Sequence, residues 1–170
     1  MSAVLIDLGC GRRKMPGYIG VDCYPLPGVD IVHDCSKGLP FDDNSVDIVR
    51  AYDFIEHIPQ SSNILREIWR ILKHEGVVDI MVPSTDGRGA FQDPTHVSFW
   101  NENSFEYYTK IEKIQRMGHY YSPGCLFEVR TLYTTPFLRD QICWVHAVLI
   151  ADKKTPLPPQ ETECLTADAS

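Results

Sequence analysis

The sequence has few basic residues, no long apolar run and no paired cysteine motif. Its 16 Lys and Arg residues are outnumbered by 23 Asp and Glu residues, which gives a formal net charge of -7 at pH 7. Because phosphate backbones are bound by clustered Lys and Arg, this balance argues against nucleic acid and favours a small molecule or another protein as partner. The N-terminal segment lacks the basic head and apolar stretch of a signal peptide, and no later run reaches transmembrane length. We therefore expect a cytoplasmic protein without a membrane partner.

The six cysteines are scattered without a CxxC pair, which indicates reduced thiols instead of a disulfide framework or a zinc site. A length of 170 residues with 44% apolar content suits a single domain with one core. We expect this domain over residues 1–152. The stretch 153–170 has three prolines and few large apolar residues, which predicts a disordered tail.

Short apolar runs bounded by turn residues predict seven strands. These runs are residues 3–8, 18–22, 30–32, 46–51, 76–82, 127–135 and 143–152. Residues 60–74 carry apolar side chains at helical spacing, which predicts a helix with Ser61 or Ser62 as its N-cap and Gly76 just past its end.

The first two predicted strands are separated by an unusually short stretch. Only residues 12–17 lie between Gly11 and the strand at Tyr18, whereas a parallel crossover normally needs a dozen or more residues and a helix. We therefore predict an α/β, Rossmann-like, mostly parallel sheet with a C-terminal antiparallel strand pair and a first crossover helix that is shortened or absent. A missing helix leaves apolar sheet surface uncovered, and we expect a homodimer to cover it.

The segment Asp7-Leu8-Gly9-Cys10-Gly11 places two glycines just beyond the carboxyl end of the first strand. Open α/β sheets bind ligands at this edge, and glycine lets a nucleotide approach the backbone. An ordinary strand-to-loop turn would use the same residues. Asp22 ends the second strand, where a carboxylate either accepts ribose hydroxyl protons or caps a loop.

Further segments follow the glycine loop in a defined order. They are Gly20-Val21-Asp22, Asp34, Leu39-Pro40-Phe41, Glu56-His57, and residues 65–73 followed by Gly76. This ordered set resembles the class I S-adenosylmethionine (AdoMet)-dependent methyltransferases over roughly the first half of the chain. A later segment, Asp93-Pro94-Thr95-His96-Val97-Ser98-Phe99-Trp100, and the short stretch after the glycine loop are similar to a small methyltransferase-type-11-like subgroup.

The resemblance implies an AdoMet site assembled from the loops that follow the first four strands. Its cofactor-binding residues would be Asp7, Gly9, Cys10 and Gly11 around the methionine part, Asp22 at the ribose, Asp34 with Cys35 at the adenine, and Asp53 beside the methyl group. Asp34 equally suits an Asx turn. The basic run at residues 12–14 suits either a solvated loop or a cationic rim that attracts a carboxylate.

Two histidines are candidates for proton transfer. His96 lies in the segment that would cover an acceptor, and His57 follows Glu56 near the crevice, with Asp93 as a third candidate base. His96 would equally serve to hold a long loop in place, and His57 to cap the approaching helix. His33, His57, His96 and Asp93 show no short ligand spacing, so we predict no metal site.

The sequence thus predicts a methyltransferase that transfers a methyl group from AdoMet to a small-molecule acceptor. A non-catalytic AdoMet-binding or interaction module is the alternative, because the chain is short for a fold whose substrate site is built from insertions. An NAD-dependent oxidoreductase fits less well, since the loop lacks the full GxGxxG pattern.

Overall fold

The structure, a computed structural model, describes residues 2–60, 63–117 and 123–157. Its strands are β1 (Leu5–Leu8), β2 (Ile19–Asp22), β3 (Ile31–Val32), β4 (Val46–Tyr52), β5 (Leu72–Pro83), β6 (Leu126–Thr134) and β7 (Trp144–Asp152). Its helices are α1 (Ile64–Ile71), α2 (Gly89–Gln92), α3 (Glu102–Thr109) and α4 (Ile111–Met117), with short 3-10 turns at Cys35–Lys37, Ile55–His57 and Arg139–Gln141. No helix within these ranges is long and apolar enough to span a membrane. Most of the expected tail lies outside the described residues.

The seven strands form one sheet in the order β3-β2-β1-β4-β5-β7-β6. Strands β1 to β5 pair in parallel, whereas β7 runs antiparallel to both β5 and β6. This arrangement confirms the predicted fold class and the C-terminal antiparallel pair. The carboxyl ends of β1, β2 and β4 meet at one edge, where a parallel sheet places its ligands.

The two faces of the sheet differ in burial. Side chains alternate along β4, β5 and β7, and one set, which includes Val49, Ile80 and Leu149, is fully buried in the core with α1 and Phe105. The alternate set is only half-buried. A parallel sheet covered on both faces would be apolar on both, so this sheet has one covered face and one partly open face.

The open face carries a polar network that crosses four strands. Arg50 donates to the fully buried Asp7 at 2.8 Å, and its guanidinium lies 3.8 Å from the Tyr52 ring centroid. The Tyr52 hydroxyl donates to Asp79 at 3.1 Å, and Asp79 also pairs with His146 at 2.8 Å. These polar groups are hydrogen-bonded to one another. The sheet face that the missing helix would have covered therefore exposes less apolar surface to water.

The connection from β1 to β2 contains no helix, as predicted. Three carboxylates hold this loop, two of them by accepting its backbone N–H groups: Asp7 accepts from Met15 at 2.8 Å, and Asp22 accepts from Gly11 at 2.9 Å. Asp30 accepts from Gly20 at 2.7 Å and pairs with Lys14 at 2.7 Å. Side-chain acceptors therefore satisfy loop N–H groups that a helix would have paired internally. The ion pair with Asp30 also shows that one residue of the basic run, Lys14, stabilises the loop.

Helix α1 is shorter than the sequence predicts. It ends at Ile71, because the next residue pairs with Val46 of β4 and Lys73 pairs with Asp47 at 2.7 Å. The prediction that Gly76 follows the helix end is wrong, since residue 76 lies inside β5. The predicted caps Ser61 and Ser62 lie outside the described residues.

The loop between β3 and β4 is held by two residues of α1. Arg70 donates to the carbonyl oxygens of Phe41 and Leu39 at 2.9 and 3.0 Å, and Glu67 accepts from the Leu39 N–H at 2.9 Å. Arg70 and Glu67 also pair with each other. The conformation of this loop therefore depends on a helix 28 or more residues further along the chain.

Candidate functional site

Two adjoining pockets open at the carboxyl edge of the parallel strands, the larger beside β1, β2 and β4 and the smaller beside β4 and β5. We call the larger one, of about 590 Å³, the cleft, and the smaller one, of about 220 Å³, the inner pocket. The predicted site residues that line the cleft are Gly9, Asp22, Asp34, Cys35, Asp53 and His57. The inner pocket contains the predicted catalytic residues His57, Asp93 and His96. Because Asp53 and His57 line both pockets, the two spaces adjoin at these side chains.

The glycine loop forms the floor of the cleft at Gly9. Its φ of +63° is in the left-handed region, and a Cβ atom there would lie 2.6 Å from the Phe54 ring. Both observations require glycine. Asp7 and Cys10, in contrast, are buried, and both Asp7 oxygens are engaged, by Arg50 and by the Met15 N–H. These two residues, which the sequence predicts to bind the cofactor, thus stabilise the glycine loop from its buried side.

Asp22 sits at the end of β2 and connects the loop to the cleft. Its Oδ2 accepts the Gly11 N–H at 2.9 Å and its Oδ1 accepts the Tyr24 N–H at 3.0 Å. An ionised carboxylate has about four lone-pair positions, so each oxygen keeps one for a ligand donor. Asp22 can therefore hold the loop and accept ribose hydroxyl protons at the same time.

Asp34 lies at the N-terminus of the 3-10 turn Cys35–Lys37. It accepts from the Ser36 N–H at 3.1 Å and from the Ser36 hydroxyl at 2.6 Å, and it pairs with Lys37. The Ser36 hydrogen bond, followed by that of Lys37, lowers the pKa of Asp34 to about 2. The Asx-type cap, which the sequence predicts as an alternative to adenine binding, is thus present. The carboxylate also lines the cleft beside Cys35.

Asp53 follows β4 in a strained conformation, with a φ of +46° that is uncommon for a residue with a side chain. Its N–H donates to the Met81 carbonyl oxygen at 2.8 Å, and its carboxylate accepts from Trp144 Nε1 at 3.0 Å. Strain of this kind costs about 1–3 kcal/mol and persists where the surroundings impose it. The result is a carboxylate fixed at the junction of the two pockets.

The inner pocket brings together histidines that are far apart in the sequence. The rings of His57 and His96 meet edge to face with their centroids 4.9 Å apart. His96 Nδ1 lies 2.9 Å from the Ala90 carbonyl oxygen, and His57 Nδ1 lies 3.3 Å from the Thr95 carbonyl oxygen. The Thr95 hydroxyl also lies 3.2 Å from His57 Nδ1, but it donates to Asp93 at 2.7 Å and so is left to accept, like the two carbonyl oxygens. Each Nδ1 is therefore assigned the proton, and each Nε2 holds a lone pair. Asp93 lies 3.9 Å from His96 Nε2.

Glu56 is the main residue of this pocket that sequence reasoning missed. It is 2% exposed, and neither carboxylate oxygen has a hydrogen-bond partner among the described residues. Burial, together with the smaller effect of the negative charges of Asp53 and Asp93, raises the pKa of Glu56 to about 8. Its apolar neighbours Ile55 and Ile58 were a signal of burial in the sequence. A buried carboxylate without a partner costs stability unless another group binds it.

A family model described as "Methyltransferase domain" matches residues 22–80 of the chain. The match begins at Asp22 and includes the Glu56-His57 pair and most of β5. No curated protein matches the chain in sequence.

Solved structures share the fold at low sequence identity. A chain in the complex between the Haloferax volcanii Trm112 methyltransferase activator and the putative methyltransferase has 16% identity, a TM-score of 0.61, and coverage of 88% of this chain and 83% of that chain. The YcgJ protein from Bacillus subtilis has 12% identity and a TM-score of 0.61, with coverage of 89% and 93%. The Burkholderia thailandensis 1,6-didemethyltoxoflavin-N1-methyltransferase, with bound 1,6-didemethyltoxoflavin and S-adenosylhomocysteine, has 17% identity and a TM-score of 0.61, with coverage of 88% and 71%.

These findings agree with the order of motifs in the sequence and with the topology of the sheet. The match over residues 22–80 and the shared fold confirm the predicted resemblance of the chain to the class I methyltransferases, an enzyme class whose cofactor is AdoMet.

Proposed function

We propose that the protein binds AdoMet in the cleft and transfers its methyl group to a small molecule held in the inner pocket. The observation that carries this proposal is the junction of the two pockets at Asp53 and His57. A methyl donor and its acceptor must meet with the reacting atoms about 3 Å apart. Two adjoining spaces that share one wall meet this requirement.

The cleft suits AdoMet in size and in the placement of its polar groups. Its volume of about 590 Å³ falls within the usual range of small-molecule sites. We assign the ribose hydroxyls to the free lone pairs of Asp22 and the adenine to the Asp34 and Cys35 backbone. The methionine part would lie over Gly9 and end near Asp53, with Asp7, Cys10 and Gly11 acting through the loop conformation.

The inner pocket suits a small acceptor because its volume is only about 220 Å³. The sulfonium of AdoMet is already a good leaving group, so positioning accounts for most of the catalysis. Where the acceptor atom carries a proton, His96, His57 or Asp93 would accept it. The small volume argues against a protein side chain on a bulky loop and for a compact molecule.

Ligand protection from thermal unfolding tests the cofactor assignment. A ligand that binds only the folded state raises its stability, by about 2.7 kcal/mol when present at 100 times its Kd. We expect AdoMet and S-adenosylhomocysteine to raise the melting temperature and NAD to leave it unchanged. Protection by NAD alone would support an oxidoreductase instead. AdoMet protection without methyl transfer to any small-molecule library would favour the non-catalytic module.

We further propose that the protein is a homodimer in the cytoplasm. Exposed apolar side chains near the first strands, Met15 and Ile19 at 45% and 37%, support a self-contact at this side of the sheet. The five described cysteines are all free, as expected in a reducing compartment. Light scattering at micromolar concentration would test the dimer, and a monomeric mass would exclude it.

A further inference from the structure

We propose that Glu56, His57 and His96 form a binding site for one divalent transition-metal ion in the inner pocket. One ligand atom from each residue lies within 4.8 Å of the other two. The sequence offered no short ligand spacing, because residue 96 reaches the pair at 56 and 57 only through the fold. The site stands independently of methyl transfer, since it is defined by these three side chains alone.

The carboxylate of Glu56 has no partner that would satisfy it among the described residues. Both oxygens are buried without a hydrogen-bond donor among the described residues, while the residue lines the inner pocket. Buried polar groups in folded proteins are almost always satisfied, by protein, water or an ion. A cation between Glu56 and the two imidazoles would supply the missing partner.

The two imidazoles are oriented as metal ligands would be. The Nδ1 atoms of His57 and His96 both face backbone carbonyl oxygens, of Thr95 and Ala90. Metal-bound histidines typically donate their other ring N–H in this way, which fixes the tautomer and makes the free nitrogen more basic. Neither Nε2 has a hydrogen-bond partner within the described part of the chain.

Backbone hydrogen bonds hold the three ligand residues in place. The Glu56 carbonyl oxygen accepts the N–H groups of Val97 and Ser98 at 2.8 and 3.0 Å, and the Ser98 hydroxyl donates to the Ile55 carbonyl oxygen at 2.9 Å. These bonds connect the segment that carries His96 directly to the segment that carries the other two ligands. The three ligands are thus held on two crosslinked segments.

The three ligand atoms need to move only slightly closer together to bind one ion. At metal–ligand distances of about 2.1 Å, two ligands of one ion lie about 3 to 4 Å apart, so side chains would move by about 1 Å. Two imidazoles and one carboxylate suit Zn²⁺, Co²⁺, Mn²⁺ or Fe²⁺ better than Mg²⁺ or Ca²⁺, which prefer oxygen ligands. His57 is exposed and the pocket is open on its side, which leaves coordination positions for a substrate oxygen.

Such an ion would select an oxygen acceptor, and this step rests on the proposed methyl transfer. An ion held by these three residues would lower the pKa of a coordinated hydroxyl, whose proton would then pass to solvent through the open side of the pocket. Its oxygen would then bond to the methyl carbon as the carbon–sulfur bond breaks, with the electron pair staying on sulfur. The two imidazoles would in this case be metal ligands and would not accept the proton.

Cobalt titration of the chelator-treated protein tests the site. We expect one Co²⁺ per chain by equilibrium dialysis, with the visible absorption of a protein-bound ion. Glu56→Gln and His96→Gln should each weaken Co²⁺ binding at least 100-fold. His74→Gln, which alters a histidine outside the cluster, should bind Co²⁺ like the wild type.

Folding and cofactor binding are measured on the same samples. Thermal unfolding should show that Glu56→Gln is folded, because it removes only a buried carboxylate without partners. AdoMet should bind the metal-free wild type, so a failure of the metal site would be distinguishable from a failure of the cleft. Absence of stoichiometric Co²⁺ binding, or equal binding by Glu56→Gln and the wild type, would overturn the proposal.

Discussion

The buried carboxylate of Glu56 makes a sharp prediction about stability and pH. Its pKa is about 8 in the folded protein, against an ordinary value of 4.5. Below pH 4.5 the group is protonated in both states, and its protonated form contributes fully to stability. As pH rises from 4.5 to 8, the unfolded state ionises first and the free energy of unfolding falls, by about 1.4 kcal/mol per pH unit.

The total loss is therefore on the order of 5 kcal/mol, and it levels off above pH 8. Glu56→Gln removes this titration, although its amide is also buried without a partner at a roughly constant cost of about 1–3 kcal/mol. The expected signature is a change of slope: the variant gains stability relative to wild type with each pH unit between 5 and 8.

Urea unfolding of metal-free protein at pH 5, 6, 7, 8 and 9 measures this slope. Glu128→Gln, which alters an exposed carboxylate of β6, is the matched control and should follow the wild type at every pH. Parallel pH profiles for wild type and Glu56→Gln would refute the reasoning. Added Co²⁺ should stabilise the wild type and leave Glu56→Gln unchanged, which links this measurement to the metal site.

Two further substitutions test the loop beneath the cleft. Gly9→Ala places a Cβ atom 2.6 Å from the Phe54 ring at a φ of +63°, and it should cost about 1–3 kcal/mol in urea unfolding and weaken AdoMet binding in calorimetry. Unchanged binding by this variant would remove the loop from the site. Asp7→Asn leaves the Arg50 charge with a neutral partner and should cost about 3 kcal/mol, measured by thermal unfolding. A loss below 1 kcal/mol would show that the pair is effectively solvated.

The sheet was predictable from the sequence because its strands are short apolar runs that end at turn residues. The boundary of α1 was not, because the apolar spacing of residues 60–74 continues past Ile71 while the chain turns to pair with Val46. The partner of a strand is a long-range property that local periodicity does not contain. The ion pair between Lys73 and Asp47 then stabilises the chain in its new direction along β5.

The candidate site was predictable in part, by the same logic. Asp22 and Gly9 follow strands whose order was recognisable, and the structure brings them into one cleft. The contact between His57 and His96 joins residues 39 positions apart and depends on hydrogen bonds from Val97 and Ser98 to Glu56. Nothing in the local sequence predicts that contact, so the spacing of ligand residues along the chain does not reveal the cluster.

The assignment of Asp22 to the cofactor is tested by comparing it with Asp30. Both carboxylates accept an N–H of the same region, from Gly11 and Gly20, but Asp30 is exposed and pairs with Lys14. Asp22→Asn and Asp30→Asn should therefore both weaken the loop. Asp22 should in addition contribute two hydrogen bonds to ribose, worth about 1.5 kcal/mol each, or about 100-fold in affinity.

Isothermal titration with AdoMet shows whether the cleft is the cofactor site. We expect one AdoMet bound per wild-type chain, wild-type affinity within about threefold for Asp30→Asn, and an affinity about 100-fold lower for folded Asp22→Asn. No binding by the folded wild type, or equal affinity of Asp22→Asn and Asp30→Asn, would contradict it.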